Sequence, residues 1–221
     1  MRFSKLAAAL LWMCCVQFFV AEQIARAAWK LPYNFATNFI SDLGSTTCDA
    51  LVCSPWHAIM NASFALQGIL IAGGAILSWP RRHWALRIGL LLLVACGLGT
   101  FVVGLIPENV SPPWHRAFAA IHFLAGGLGL IAFGFSLRRR LSWVTVAVGF
   151  LVLAATVVLG LGAGTFIDTL GVGTVERVAA YGIAACITLM GASSLLTYLI
   201  HRPHTWLTNV NASLSSLFQI R

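Results

Sequence analysis

Acidic side chains are scarce in this chain. Glu22, Asp42, Asp49, Glu108, Asp168 and Glu176 are all it has in 221 residues, and charged residues of both signs make up only 9%. That is far from the balance of a soluble globular domain. No change of composition marks a separate soluble domain within residues 1–221, so the chain reads as one integral membrane domain. Compact chemical motifs are missing too. There is no His-Glu-x-x-His and no Cys-x-x-Cys, which removes the simplest arguments for a helical zinc site or a redox-active dithiol. No internal inverted repeat is evident, and no paired Gly/Pro breaks fall at the middle of the apolar blocks, which argues against alternating access.

What the chain has instead is apolar length. Hydrophobic residues make up 59% of it. They gather in blocks near 6–28, 56–78, 86–106, 115–136, 142–164 and 176–200, each close to the roughly 20 residues that cross a hydrocarbon core. The expected fold class is therefore all-α, a polytopic bundle of six transmembrane helices. Arg2 and Lys5 precede the first block, and Arg81, Arg82 and Arg87 surround the break after the second. Arg138, Arg139 and Arg140 fill the break after the fourth, and Arg202 follows the sixth. The positive-inside rule puts those breaks and both termini in the cytoplasm and turns residues 29–55, 107–114 and 165–175 outward. The net charge of +8 then reflects orientation and anionic lipid headgroups; membrane lipids are the expected partners and nucleic acid is not. The first block also resembles a signal peptide, with Ala25-Arg26-Ala27-Ala28 as a small-residue site. Its apolar stretch is longer than the usual roughly 7–15 residues, so a retained span is expected.

Cys14, Cys15, Cys96 and Cys186 fall inside apolar blocks, where a thiol packs as a small hydrophobe. Cys48 and Cys53 share the long first outward loop, and an oxidising compartment favours a disulfide between them over two free thiols. That loop, 29–55, mixes aromatic and aliphatic anchors with Asn and Asp and is expected to lie over the bundle as a lid.

Polar residues at the outward ends supply the candidate chemistry. Ser54-Pro55 reads as a helix start, followed by His57 and, one turn later on the same face, Asn61. Gln67 lies deeper, where interhelical hydrogen bonding is its ordinary use. Pro112-Pro113-Trp114-His115 opens the fourth block, and His122 lies on nearly the same face, about 10 Å further along the axis. One metal ion cannot bind both at that separation, so a metal would need ligands from other helices, with His57 the natural one. An ionisable group two turns into a span, as His122 is, marks a functional site by default. Glu176-Arg177 stands at the mouth of the sixth block, with Tyr181 one turn on. Glu108 and Asp42 belong to the same surface.

The order Asn38-Phe39-Ile40-Ser41-Asp42-Leu43-Gly44, Ser54-Pro55 with Asn61, Gly104-Leu105-Ile106-Pro107-Glu108, His115 with His122, and Glu176-Arg177 with Tyr181 resembles the six-span prokaryotic family catalogued as domain of unknown function 998. The resemblance runs over about residues 10–200 and implies a multi-pass protein of a prokaryotic plasma (inner) membrane. It carries no settled activity. In layout the chain is also similar to the Frag1/DRAM/Sfk1 group of six-span proteins, an architectural analogy that points toward lipids.

Two functional classes fit these residues. One is an outward-facing metal-dependent hydrolase of a lipid or lipid-linked substrate. In it a divalent metal such as zinc draws its ligands from among His57, His115 and His122, with only one of the last two on a given ion, Asp42, Glu108 and Glu176 serve as catalytic carboxylates, and Asn61, Arg177 and Tyr181 bind substrate. The other is a non-catalytic binding or transport protein that uses the same residues as a pocket or proton relay.

Overall fold

The structure, a computed structural model, describes residues 2–80, 83–136, 140–162 and 164–200. Arg81, Arg82, Arg138, Arg139 and Arg202, on which the expected orientation rests, lie outside the described residues.

Six helices are long and apolar enough to cross a membrane: Phe3–Ala27, His57–Leu77, Trp84–Leu105, Pro112–Ser136, Ser142–Leu161 and Val172–Ile200. They are called the first to sixth helices below. The chain is a multi-pass membrane protein, all-α as expected. Hydrogen bonding explains the choice of structure, since a helix satisfies its own backbone where no water can. Proline placement explains the boundaries. Pro55, Pro80 and Pro107 lie in the breaks, and Pro112 and Pro113 open the fourth helix, where the missing N–H is not needed. A 3-10 turn at Cys14–Val16 interrupts the first helix, and a short helix, Gly164–Leu170, precedes the sixth.

The helices form a ring in chain order, each packed on the next, and the sixth closes on the first. Close backbone approach holds neighbours together. A Cβ on Gly97 would lie 2.6 Å from the Gly68 carbonyl oxygen of the second helix, and one on Gly99 would lie 2.7 Å from the His122 nitrogen of the fourth. Small residues at helix contacts are the general solution in membranes, because apolar side chains gain little by leaving lipid for protein. Trp12, Ile71, Leu90, Leu93, Leu130 and Ile187 fill the ring's interior. Large apolar side chains such as Leu91, Leu98, Phe150 and Leu151 cover its outside.

The sixth helix begins at Val172, so Glu176 and Arg177 sit in its second turn, above a tight corner. Gly171 makes that corner at φ +80°, in the left-handed region that side chains rarely adopt. A Cβ there would also strike the Ala36 carbonyl, while Gly173 donates its N–H to that same oxygen at 2.8 Å. The first loop is thus seated directly on the mouth of the sixth helix.

Candidate functional site

The loop between the first and second helices is tied down residue by residue, with a 3-10 turn over Ser41–Gly44 at its centre. Ile40 donates its N–H to Glu176. Ser41 Oγ donates to Glu108 Oε2 at 2.8 Å, and Asp42 Oδ2 accepts the Phe39 N–H at 2.9 Å. The Leu43 carbonyl accepts from Ser54 Oγ at 2.7 Å, and the Gly44 carbonyl from Asn61 Nδ2 at 2.8 Å. Gly44 is needed there, because a Cβ would collide with the Asn61 amide oxygen. Further out, Thr46 and Asn109 exchange hydrogen bonds, and Cys48 and Cys53 form a disulfide. Residues as far as 136 positions apart in sequence therefore make one hydrogen-bonded lid.

Arg177 clamps the lid from below. Its Nη1 donates to the carbonyls of Phe35 at 2.9 Å, Asn38 at 2.8 Å and Gly173 at 3.0 Å. Its Nη2 reaches the Tyr33 hydroxyl, and its Nε reaches Glu22 Oε1 at 3.2 Å. The guanidinium also lies 4.9 Å from the Phe35 ring centre, within cation–π range. Glu22 is fully buried in the first helix, and its second oxygen accepts from Tyr181 at 2.6 Å. A charge pair so deep is tolerable because it is paired and hydrogen-bonded throughout. Burial raises the pKa of the loop phenol Tyr33, which keeps it neutral beside the arginine. Burial likewise raises that of Asp42.

Beneath the lid lies a cavity of about 40 Å³, room for about three water molecules. Ile40 and Ser41 roof it. Gln67 of the second helix, Thr100 of the third, His115 and His122 of the fourth and Glu176 of the sixth supply polar walls, with Phe18, Phe64, Val103 and Ile183 between them. The two histidines are held alike. His115 Nδ1 lies 2.7 Å from the Ile106 carbonyl oxygen and His122 Nδ1 3.0 Å from that of Cys96. A carbonyl only accepts, so Nδ1 carries the proton, and in the neutral ring Nε2 is left as an acceptor. Gln67 is anchored on its other side: Gln17 Nε2 donates to its Oε1 at 3.1 Å and to the Ser63 carbonyl at 3.2 Å, and Ser63 Oγ donates to Gln17 Oε1 at 2.9 Å. That network fixes the amide orientation and leaves Gln67 Nε2 buried without a hydrogen-bond partner among the described residues.

The candidate residues thus fall into three places. His115, His122 and Glu176 share the cavity. Asp42, Glu108 and Asn61 hold the lid, with Glu108 also 3.5 Å from the exposed Arg116. Arg177 and Tyr181 belong to the buried pair with Glu22. His57 is outside the cavity wall; its Nδ1 lies 3.0 Å from the Ser54 carbonyl oxygen one turn before it. Among the described residues no three His, Cys, Asp or Glu side chains are placed to hold one metal ion. Ser54 does not cap the second helix, as its sequence position suggests; its hydroxyl is spent on Leu43. Sequence reasoning passes over Glu22 as a site residue, although it is the one acid in the interior of an apolar block. It also passes over Thr100 and Tyr33, whose roles only packing reveals.

No curated protein and no solved structure matches the chain. The family model described as protein of unknown function (DUF998) matches residues 6–193, the stretch that holds most of the six helices with the lid and the cavity, and the chain belongs to that family.

Proposed function

We propose that this is a non-catalytic binding protein of a prokaryotic plasma membrane, which holds a small polar molecule or lipid headgroup in a lidded cavity on its outward side. One observation carries the reading: five polar side chains from four helices, Gln67, Thr100, His115, His122 and Glu176, line one cavity beneath the lid. Polar side chains turned inward within a membrane are costly without a use, and a bound guest or ordered water supplies one. The outward direction is supported by the arginine pattern of the sequence.

A metal-dependent hydrolase is the second reading. It needs three protein ligands around an open position, together with a carboxylate. His115 and His122 share the cavity with Glu176, but their spacing along one helix and the remote position of His57 keep the three imidazoles apart. The geometry therefore favours binding.

Thermal unfolding of detergent-purified protein against a panel of headgroup analogues tests the choice. A true ligand raises the midpoint saturably, by mass action on the folded state, and the rise is lost in Glu176→Gln. Stoichiometric zinc in the wild type, absent from His122→Ala, would instead establish the hydrolase.

A further inference from the structure

Three of the groups that line the cavity are ionisable, His115 and His122 of the fourth helix and Glu176 of the sixth, and among the described residues no lysine or arginine lines it with them. Two neutral imidazoles and a carboxylate carry one negative charge between them; one added proton makes the set neutral, and a second makes it positive. A net charge inside a membrane is costly. The neutral form, with one proton held in common, is therefore the favoured one, and groups that share so small a space titrate as a set.

The surroundings supply no free counter-charge. Arg177 follows Glu176 in the chain, but its charge is matched by Glu22 at 3.2 Å and its donors by Tyr33 and the carbonyls of Phe35, Asn38 and Gly173. Arg116 follows His115, but it is exposed and lies 3.5 Å from Glu108. The other titratable groups that act on Glu176 are Asp42, Glu108 and Tyr33, none of them a cation. The third helix turns a thiol to His122, with Cys96 Sγ 3.2 Å from Nδ1. The first and second helices face the cavity with Phe18, Phe64 and Gln67, which do not titrate.

The cavity meets solvent through its lid and ends in apolar packing. Ser41 roofs it and donates through Oγ to Glu108 Oε2 at 2.8 Å, and the Glu108 side chain is 24% exposed. A hydroxyl both gives and takes a proton. Within the cavity, a polar space of about 40 Å³ takes up about three waters. Three waters in line make four hydrogen bonds of about 2.8 Å, a reach of about 11 Å, which covers the rise of about 10 Å between His115 and His122. Each imidazole is fixed through Nδ1 on a backbone carbonyl, so a further proton enters at Nε2. Inward of His122 lie Leu93, Leu130 and Ile187, all fully buried. We propose that the cavity is a one-sided proton-binding site, in which Glu176, His115 and His122 hold one proton in common and exchange it with the outer surface through Ser41 and Glu108. This goes beyond the binding role proposed above and does not depend on which guest the cavity holds.

Proton counting on detergent-purified protein, with no guest added, tests the site. Between about pH 10 and about pH 5.5 an ordinary glutamate takes up almost no proton, since its pKa is about 4.3. Over that range the wild type should take up about one proton more than Glu176→Gln, whose cavity is neutral without it. If that variant does not fold, carbon NMR of the wild type with isotopically labelled glutamate carboxyls reads the same step, as movement of the Glu176 signal within the range. Equal uptake by the two proteins, or a Glu176 signal that stays still, overturns the site. Ser41→Ala should slow uptake after a pH jump by about tenfold, the barrier of one lost hydrogen bond; an unchanged rate overturns the route. Sustained proton flux into reconstituted vesicles, read by a pH dye trapped inside, overturns the closed inner end. The binding role fails separately: a headgroup analogue that binds without the proton step leaves that role standing and removes this one.

Discussion

Arg177→Met tests whether the lid is clamped as described. The substitution keeps much of the side chain's length and removes its charge and donors. Arg177 is 6% exposed and Glu22 is 0% exposed, so the stranded carboxylate cannot find water without disrupting the helices. Removing one partner of a buried pair costs about 3–5 kcal/mol. Part of that cost belongs to the loop, because the Phe35 and Asn38 carbonyls lose a charged donor, at about 1 kcal/mol or more each. Adding Glu22→Leu takes away the stranded charge but not the carbonyls' loss. The double variant should therefore recover about 2 kcal/mol of the deficit and remain about 2 kcal/mol below the wild type. Equilibrium unfolding in mixed detergent micelles, followed by tryptophan fluorescence, gives the order: wild type, then double, then single variant. Limited proteolysis of residues 31–47 should follow the same order. A single variant within about 0.5 kcal/mol of the wild type, the range of an ordinary surface change, would show that the pair is solvated. A double variant no more stable than the single would refute the stranded-charge argument.

Gly44→Ala should cost about 1–3 kcal/mol through its collision with the Asn61 amide, and Asn61→Ala should relieve the clash while losing the tie to the Gly44 carbonyl; unfolding of the three variants decides this. Asp42 and Asp49 should give pH dependences of opposite sign. Burial raises the Asp42 carboxyl, so the fold binds its proton more tightly than the unfolded chain does. Its contribution to stability falls as pH rises from the ordinary carboxylate range through the raised value, and Asp42→Asn flattens that slope. The exposed Asp49 is lowered by the N–H groups of Val52 and Leu51. Its contribution is present above the ordinary carboxylate pKa and is lost as pH falls through the depressed value, which Asp49→Asn abolishes. Cysteines introduced beside Asn109 and beside Arg139 should label from opposite sides of the membrane, with Asn109 outside; labelling of both from outside refutes the orientation. A non-reduced digest should yield Cys48 and Cys53 as one cross-linked peptide, and two free alkylatable thiols in protein matured in its own membrane would end that assignment.

By itself the sequence determines the six apolar helices and the long loop after the first. Length, hydropathy and the confinement of proline to the breaks act locally, and a bilayer allows a chain little other choice. It also marks most of the residues that matter, since Asn61, Glu108 and Glu176 are polar groups at the ends of apolar blocks, where polarity is costly without a use. What it leaves open is which of them meet. Glu176 and Arg177 are neighbours in the chain, yet one faces the cavity and the other reaches Glu22, 155 positions away, because successive residues of a helix point about 100° apart. Asp42 and Glu108 carry the same chemistry as Glu176, but hydrogen bonds to the lid claim them. His57 shares its residue type with His122, but is not part of the cavity wall. Gln67 is the sharpest case: its amide oxygen is taken by Gln17, on another helix. Partner choice of that kind is set by how the first helix packs on the second and the sixth, and no local pattern in the chain encodes it.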